Sequence, residues 1–129
     1  MIEDIGSFRI DVEIENNAVP GVRRQVRNVL VDTGAELSCF PGALLDEMRI
    51  ERRLLRRFRQ ADGSVLERWT GQASLYAADT WTVDQVIFGE PGDLTLLGSR
   101  SLEGLNLRVD PVAKRLTDAG PMPLAVYAM

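Results

Sequence analysis

The chain contains no histidine, which removes several familiar classes of catalytic site. Ser-His-Asp and Cys-His hydrolysis both need an imidazole as the base, and zinc sites usually need histidine or several cysteines. The one cysteine, Cys39, cannot form a disulfide within the chain, and its simplest interpretation is a small, half-buried apolar residue. Any chemistry must therefore rely on carboxylates, hydroxyls, water or backbone groups, and we expect no metal and no cofactor.

Long apolar runs are also lacking, and none approaches the roughly 20 residues that a helix needs to cross a bilayer. The first residues, Met1 to Gly6, are acidic and short of apolar side chains, unlike a signal peptide. The formal net charge of −4 disfavours general binding to nucleic acid or to anionic membranes. These features together predict a cytoplasmic protein without nucleic-acid or membrane partners.

The chain has 129 residues, of which 45% are hydrophobic and 26% charged. Such a length and composition are typical of one globular domain built around one core. We expect this domain to span residues 1–129, with its core over about 8–116 and a C-terminal tail over 117–129. The tail is apolar from Leu124 to Met129, which favours packing at a subunit interface.

Short strands dominate the hydrophobic pattern. Phe8 to Ile14 alternates strictly between apolar and polar residues, which predicts a half-buried strand. Val22 to Val31 begins polar and ends in Val29-Leu30-Val31, a run typical of a strand buried on both faces. Further strands are predicted at 37–40, 73–77, 81–88, 94–97 and 105–109, and short helices at 41–48 and 99–105. The pattern indicates a mostly β protein with one or two short helices.

A hairpin turn is predicted at Ala61-Asp62-Gly63-Ser64, because Asp-Gly favours the positive φ angles of a tight turn. Its strands are Leu55 to Gln60 and Val65 to Trp69. The preceding segment, Arg49 to Arg59, fits either a helical turn or a strand that enters the hairpin. Its arginines are read as a solvated face around core residues rather than as a surface for an acidic partner or nucleic acid. The core residues expected there are Ile50, Leu54, Leu55 and Phe58.

Asp32 directly follows the apolar strand and precedes Thr33 and Gly34. A carboxylate in this position is costly unless its charge is hydrogen-bonded, shared or solvated. One interpretation is an ordinary turn, since Asp and Gly close strands routinely. The other is a functional carboxylate.

The segment Val29-Leu30-Val31-Asp32-Thr33-Gly34-Ala35 resembles the active-site loop of the retropepsin-like aspartic peptidases, the family of the retroviral proteases. Farther along, Leu94-Thr95-Leu96-Leu97-Gly98 is similar to the family's second signature, which packs across that loop and precedes a short helix. The hairpin at 61–64 lies between them, where the family has its mobile flap. The resemblance implies a closed acid-protease β-barrel with a flap hairpin, and an endopeptidase that acts on peptide or protein substrates.

The resemblance also implies roles for individual residues. Asp32 would be catalytic, Thr33 would hydrogen-bond across a dimer interface, and Gly34, followed by Ala35, would leave room for the substrate backbone. The substrate would also contact the flap and one apolar subsite residue, namely Ala61, Asp62, Gly63, Ser64 and Leu96. Leu97 and Gly98 would support the active-site loop. In the retroviral enzymes an arginine follows the second-signature glycine, whereas here Ser99 intervenes before Arg100.

Only one Asp-Thr-Gly occurs, so one chain offers half of a two-carboxylate site. Asp62 lies in the predicted turn and Asp110 precedes Pro111, so neither follows a buried strand. The second Asp32 is therefore expected from a twofold-related copy in a homodimer. Two alternatives stay open: a catalytically weak or inactive dimeric peptide-binding module of the same fold, and a monomer that is inactive until it pairs.

Overall fold

The computed structural model describes residues 7–126. These residues form nine strands and two short helices, so the expectation of a mostly β protein is confirmed. In chain order the elements are β1 (Arg9–Glu15), β2 (Arg23–Val31), β3 (Ser38–Pro41), α1 (Gly42–Glu47), β4 (Leu54–Arg59), β5 (Val65–Ala77), β6 (Thr80–Gly89), β7 (Leu96–Leu97), α2 (Ser99–Gly104), β8 (Leu107–Asp110) and β9 (Arg115–Asp118).

Seven strands form one sheet in the order β1-β2-β7-β3-β6-β5-β4. A further pairing between β1 and β5 closes this sheet into a ring and leaves β4 outside it. The remaining strands, β8 and β9, form a separate antiparallel hairpin. Closure matters energetically because strands inside the ring have both edges paired, whereas β4 has a described partner only in β5.

The core fills the ring with side chains from almost every element. Leu97 and Val29 are fully buried, and each such aliphatic side chain contributes about 1.5–3 kcal/mol when it is removed from water. Ile50 belongs to this core as expected. Leu54 and Leu55 do not, since their exposed fractions are 48% and 44%; β4 lies outside the ring, so its side chains have fewer neighbours.

Two predicted strand boundaries were wrong. The segments 65–69 and 73–77 belong to one strand, β5, which continues through Gly71. A Cβ on Gly71 would lie 2.3 Å from the carbonyl oxygen of Glu51, so this glycine permits a close backbone approach rather than ending a strand. Only Leu96 and Leu97 of the predicted strand 94–97 form β7, and Leu94 is exposed.

The helices are shorter than predicted. Pro41 is the last residue of β3 and the N-cap position of α1, so it lies just before the helix rather than in its first turn. Gly98 occupies the N-cap position of α2, and Ser99 is the first residue of that helix. No helix within residues 7–126 combines the length and the hydropathy needed to cross a membrane.

The C-terminal part of the described chain is ordered by backbone contacts past the expected end of the core. β9 extends to Asp118, and Ala119 donates a backbone hydrogen bond to Asn106. Leu124 and Val126 have exposed fractions of 82% and 69% in the single chain. Packing of the tail at a subunit interface stays a prediction, and residues 127–129 lie outside the described part.

A buried hydrogen-bonded chain joins three elements next to β7. The N–H of Gly98 donates to Ser38 Oγ at 3.0 Å, and Ser101 Oγ donates to Asp84 Oδ2 at 2.9 Å. The two hydroxyl oxygens lie 2.6 Å apart. Because the only proton of Ser101 goes to Asp84, the hydroxyl of Ser38 must donate to Ser101. The chain therefore runs in one direction from a backbone N–H to a carboxylate.

Replacing either serine should destabilise the fold and the two effects should not add. Ser38→Ala and Ser101→Ala each leave buried polar groups without partners, and each should lower the free energy of unfolding by about 1–3 kcal/mol. Because the two residues are in contact, the loss of unfolding free energy in the double variant should be smaller than the sum of the two single losses by at least about 0.5 kcal/mol. Urea unfolding measures all three, with Ser99→Ala as the control of unchanged stability. Additive losses would contradict the directional chain.

Candidate active site

Asp32 owes its position to β7, which lies between β2 and β3. β7 runs parallel to β2, with Val31 opposite Leu97, and antiparallel to β3, with Cys39 opposite Leu96. The backbone N–H of Asp32 donates to the carbonyl of Leu97 at 3.0 Å, which extends the ladder one residue past β2. Asp32 is therefore held by a buried strand on its main-chain side while its side chain faces outward.

The rest of the loop is held by the segment that follows β7. Ser99 and Arg100 donate backbone hydrogen bonds to the carbonyls of Ala35 and Glu36 at 2.8 and 3.1 Å. Gly98 lies so close that a Cβ there would be 2.8 Å from the carbonyl carbon and oxygen of Leu37. Gly98 therefore packs against the backbone that follows the loop, and Leu97 is buried beside it, while their support of an active site stays a prediction.

The Asp32 carboxylate is half-buried and hydrogen-bonded to its own loop. Oδ1 accepts the N–H of Gly34 at 2.9 Å, and the Asp32 carbonyl accepts the N–H of Ala35 at 3.2 Å. A Cβ on Gly34 would lie 3.2 Å from that Oδ1, closer than usual, so a side chain there would crowd the carboxylate. Thr33 is exposed beside it.

A groove of about 940 Å³ opens in front of Asp32. Residues of the Asp32 loop and of the β4–β5 hairpin both line it. Of the residues predicted to contact substrate, Ala61 and Leu96 line this groove, as do Gly34 and Ala35. Thr33 and the remaining hairpin-tip residues Asp62, Gly63 and Ser64 are not among its lining.

The hairpin tip satisfies its own polar groups. Asp62 Oδ1 accepts the N–H and the hydroxyl of Ser64 at 2.9 and 2.6 Å, and these bonds hold the pKa of the Asp62 carboxyl below its usual range. Gly63 has a φ of 89°, which a tight turn requires and which other residues rarely adopt. The turn predicted at 61–64 is thus present, while a substrate-binding role for its tip stays a prediction.

The other groove carboxylates are engaged in ion pairs. Asp93 accepts two hydrogen bonds from Arg68, at 2.7 and 3.0 Å, which hold the pKa of Asp93 below its usual range. Glu36 lies 3.8 Å from Arg100. Among the acids of the described groove wall, Asp32 alone takes part in no ion pair.

The sequence did not single out Asp93, although this residue lines the groove. Its only local signal is the bond that Asp93 Oδ2 accepts from the N–H of Glu90 at 2.8 Å, an ordinary turn contact. Cys39 also lines the groove, but burial raises the pKa of its thiol to about 12. The thiol is therefore protonated at neutral pH, which excludes it as a nucleophile there.

No protein-family model matches the chain, and a search of curated proteins finds no similar sequence. The interpretation of the site therefore depends on the residues and their geometry.

The Asp93–Arg68 pair makes a pH-dependent contribution to stability. Because Arg68 holds the pKa of Asp93 below its ordinary value of about 3.9 in the folded protein, the contribution is complete above that value and is lost as pH falls through the folded-state pKa. Asp93→Asn should lower the free energy of unfolding by about 1–2 kcal/mol at pH 6, a modest loss because the pair is partly exposed.

Urea unfolding of wild type and variant between pH 2.5 and 7 measures this difference. The gap should be constant above about pH 5 and should shrink below about pH 4. Asp79 is an exposed aspartate outside the groove, so Asp79→Asn is the control. Its free energy of unfolding should equal that of wild type at both low and neutral pH. A gap that grew towards low pH would contradict the assigned ion pair.

Proposed function

We propose that the protein is an aspartic endopeptidase of the retropepsin type, active as a homodimer that brings two Asp32 carboxylates together. The observation that carries the proposal is the state of Asp32, the one groove carboxylate of the described chain outside an ion pair. It is anchored through its backbone to β7 and opens onto a groove. The proposal assigns the ring-like sheet to the acid-protease barrel and the β4–β5 hairpin to the flap.

Two carboxylates about 3 Å apart cannot both ionise easily, so they share one proton. The ionised member takes a proton from a water molecule, whose oxygen attacks the peptide carbonyl carbon. The protonated member donates its proton to the carbonyl oxygen. A second transfer then protonates the amide nitrogen, the C–N bond breaks, and a carboxylic acid and an amine leave.

The requirement for a second copy follows from the other acids. Asp93 and Glu36 are paired with arginines, and Asp62 and Asp110 accept hydrogen bonds from their own turns. None is available to share a proton with Asp32. An exposed Thr33 beside Asp32 supports contact with a symmetry mate at this loop.

Peptide binding without cleavage is the second candidate function. It is favoured by the groove itself, which exists in the single chain and needs no second Asp32. Cleavage and binding differ in their dependence on the carboxylate, so one variant separates them.

Asp32→Asn should abolish cleavage, because an amide can neither accept the proton of water nor return one. We expect a loss of at least about 10³-fold in kcat/KM, as when the central residue of a catalytic unit is removed. Cleavage of an unfolded protein mixture, read by mass spectrometry over pH 3–7, measures the loss, and sedimentation equilibrium checks that the dimer persists. Asp79→Asn is the matched control with wild-type activity. Undiminished cleavage by a clean preparation of Asp32→Asn would refute the assignment, and bound but uncut peptide would favour the binding module.

Mixing subunits tests whether the site is shared. When wild type and Asp32→Asn are unfolded and refolded together in equal amounts, about a quarter of the dimers carry two wild-type subunits. Activity should then fall to about half that of the same amount of wild type refolded alone. Mixing with Asp79→Asn should cause no fall. Activity that is indifferent to added Asp32→Asn would show that one chain carries a complete site.

A further inference from the structure

Positive charge is concentrated along the groove, although the whole chain has a net charge of −4. More arginines than acids line it: Arg56, Arg57, Arg59, Arg68 and Arg100 against Asp32, Glu36 and Asp93. Arg56, Arg57 and Arg59 are exposed, as a solvated face predicts, and they also line the groove.

The charges of Arg68 and Arg100 are compensated by Asp93 and Glu36. Within residues 7–126, Arg56, Arg57 and Arg59 form no ion pair. Arg56 donates to Gln85 Oε1 at 3.3 Å, and Arg59 donates to the carbonyl of Gly63 at 3.3 Å. These acceptors are neutral, so they hold the guanidinium groups without cancelling their charge.

Strand register places Arg56 beside apolar side chains. Arg56 lies opposite Arg68, and Phe58 lies opposite Leu66, and all four line the groove. Phe58 and Leu66 are only partly buried. The hairpin therefore presents a cation next to an apolar patch in the groove that Asp32 also lines.

We infer that this groove selects peptide segments in which an acidic side chain lies next to apolar ones, with Arg56 as the specificity-determining residue. The inference rests on the proposed function and names its substrate class. A guanidinium forms strong, directional hydrogen bonds with a carboxylate, and Gln85 restricts its orientation. Phe58 and Leu66 supply the apolar contacts for the neighbouring substrate side chains.

A peptide fits this groove better than a nucleic acid. A phosphate backbone would lie against Asp32, and repulsion by this unpaired carboxylate would oppose it. Phe58 is the one aromatic residue in the described lining, whereas nucleic-acid strands are usually held by several stacking rings. An extended peptide carries its negative charge at one side chain, which Arg56 can bind, instead of a charge at every unit of the backbone.

Binding to the Asp32→Asn protein tests the inference without cleavage. The probes are three fluorescent peptides that differ only in one residue beside an apolar pair: Glu, Gln or Lys. We expect the Glu peptide to bind about fivefold more tightly than the Gln peptide, and the Lys peptide most weakly, with the preference weakened by 0.5 M salt. Fluorescence anisotropy measures the three affinities.

Charge reversal assigns the preference to one residue. In the Asp32→Asn background, Arg56→Glu should make the Lys peptide the best ligand, and Arg56→Gln should make all three similar. Arg108→Glu, an exposed arginine outside the groove, is the control and should keep the preference for Glu. Circular dichroism of each variant checks the fold, and Arg56→Gln keeps the test valid if the reversal variant does not fold.

The outcomes separate this inference from the proposed function. Equal affinity for the three peptides, no peptide binding, or tighter binding of a single-stranded oligonucleotide by the protein with Asp32 intact would overturn the inference. A Glu preference that is lost in Arg56→Gln supports it even if wild type cuts nothing, in which case only the proposed function fails. Cleavage by wild type with no preference among the three peptides would support the proposed function and overturn the inference.

Discussion

The insertion of β7 between β2 and β3 is the constraint on which the rest of the structure depends. Two residues, Leu96 and Leu97, pair in parallel with one strand and antiparallel with the other, so both edges of this short strand are satisfied. The next residue must be small, because the chain of the Asp32 loop passes within van der Waals distance of Gly98. Strand pairing and one close backbone approach thus determine where Asp32 lies and which way its side chain faces.

Around this junction, the buried and partly buried polar groups described below have hydrogen-bond or ion-pair partners. The hydroxyls of Ser38 and Ser101 connect a backbone N–H to the Asp84 carboxylate, and Arg68 neutralises Asp93 at the groove wall. Against this background an Asp32 carboxylate bonded only to its own loop is unusual. A carboxylate without an ion-pair partner can share a proton with a second carboxylate beside it, as the proposed dimer requires.

Much of the fold was predictable from local pattern. Strict alternation identified β1, the apolar run identified the buried end of β2, and Asp62-Gly63 identified the hairpin turn, because each signal depends on residues a few positions apart. Asp32 was predictable as a site candidate for the same reason, since a carboxylate after a buried strand stands out in any sequence. The strand end predicted at Gly71 was wrong, because a glycine that permits a close approach to Glu51 has the same local signature as a glycine that ends a strand.

By itself, the sequence determined which side chains the chain lacks, where most of its strands lie and which carboxylate follows a buried strand. Periodicity and short motifs involve residues a few positions apart, so they can be recognised without the fold. Only the tertiary structure decided that the sheet closes through β1 and β5, that Asp93 is neutralised by Arg68, and that Arg56 faces the groove. Periodicity encodes which face of a strand is buried but not which strand lies beside it. Ion pairs and groove walls are made by such neighbours, so their partners appear only when distant parts of the chain are packed together.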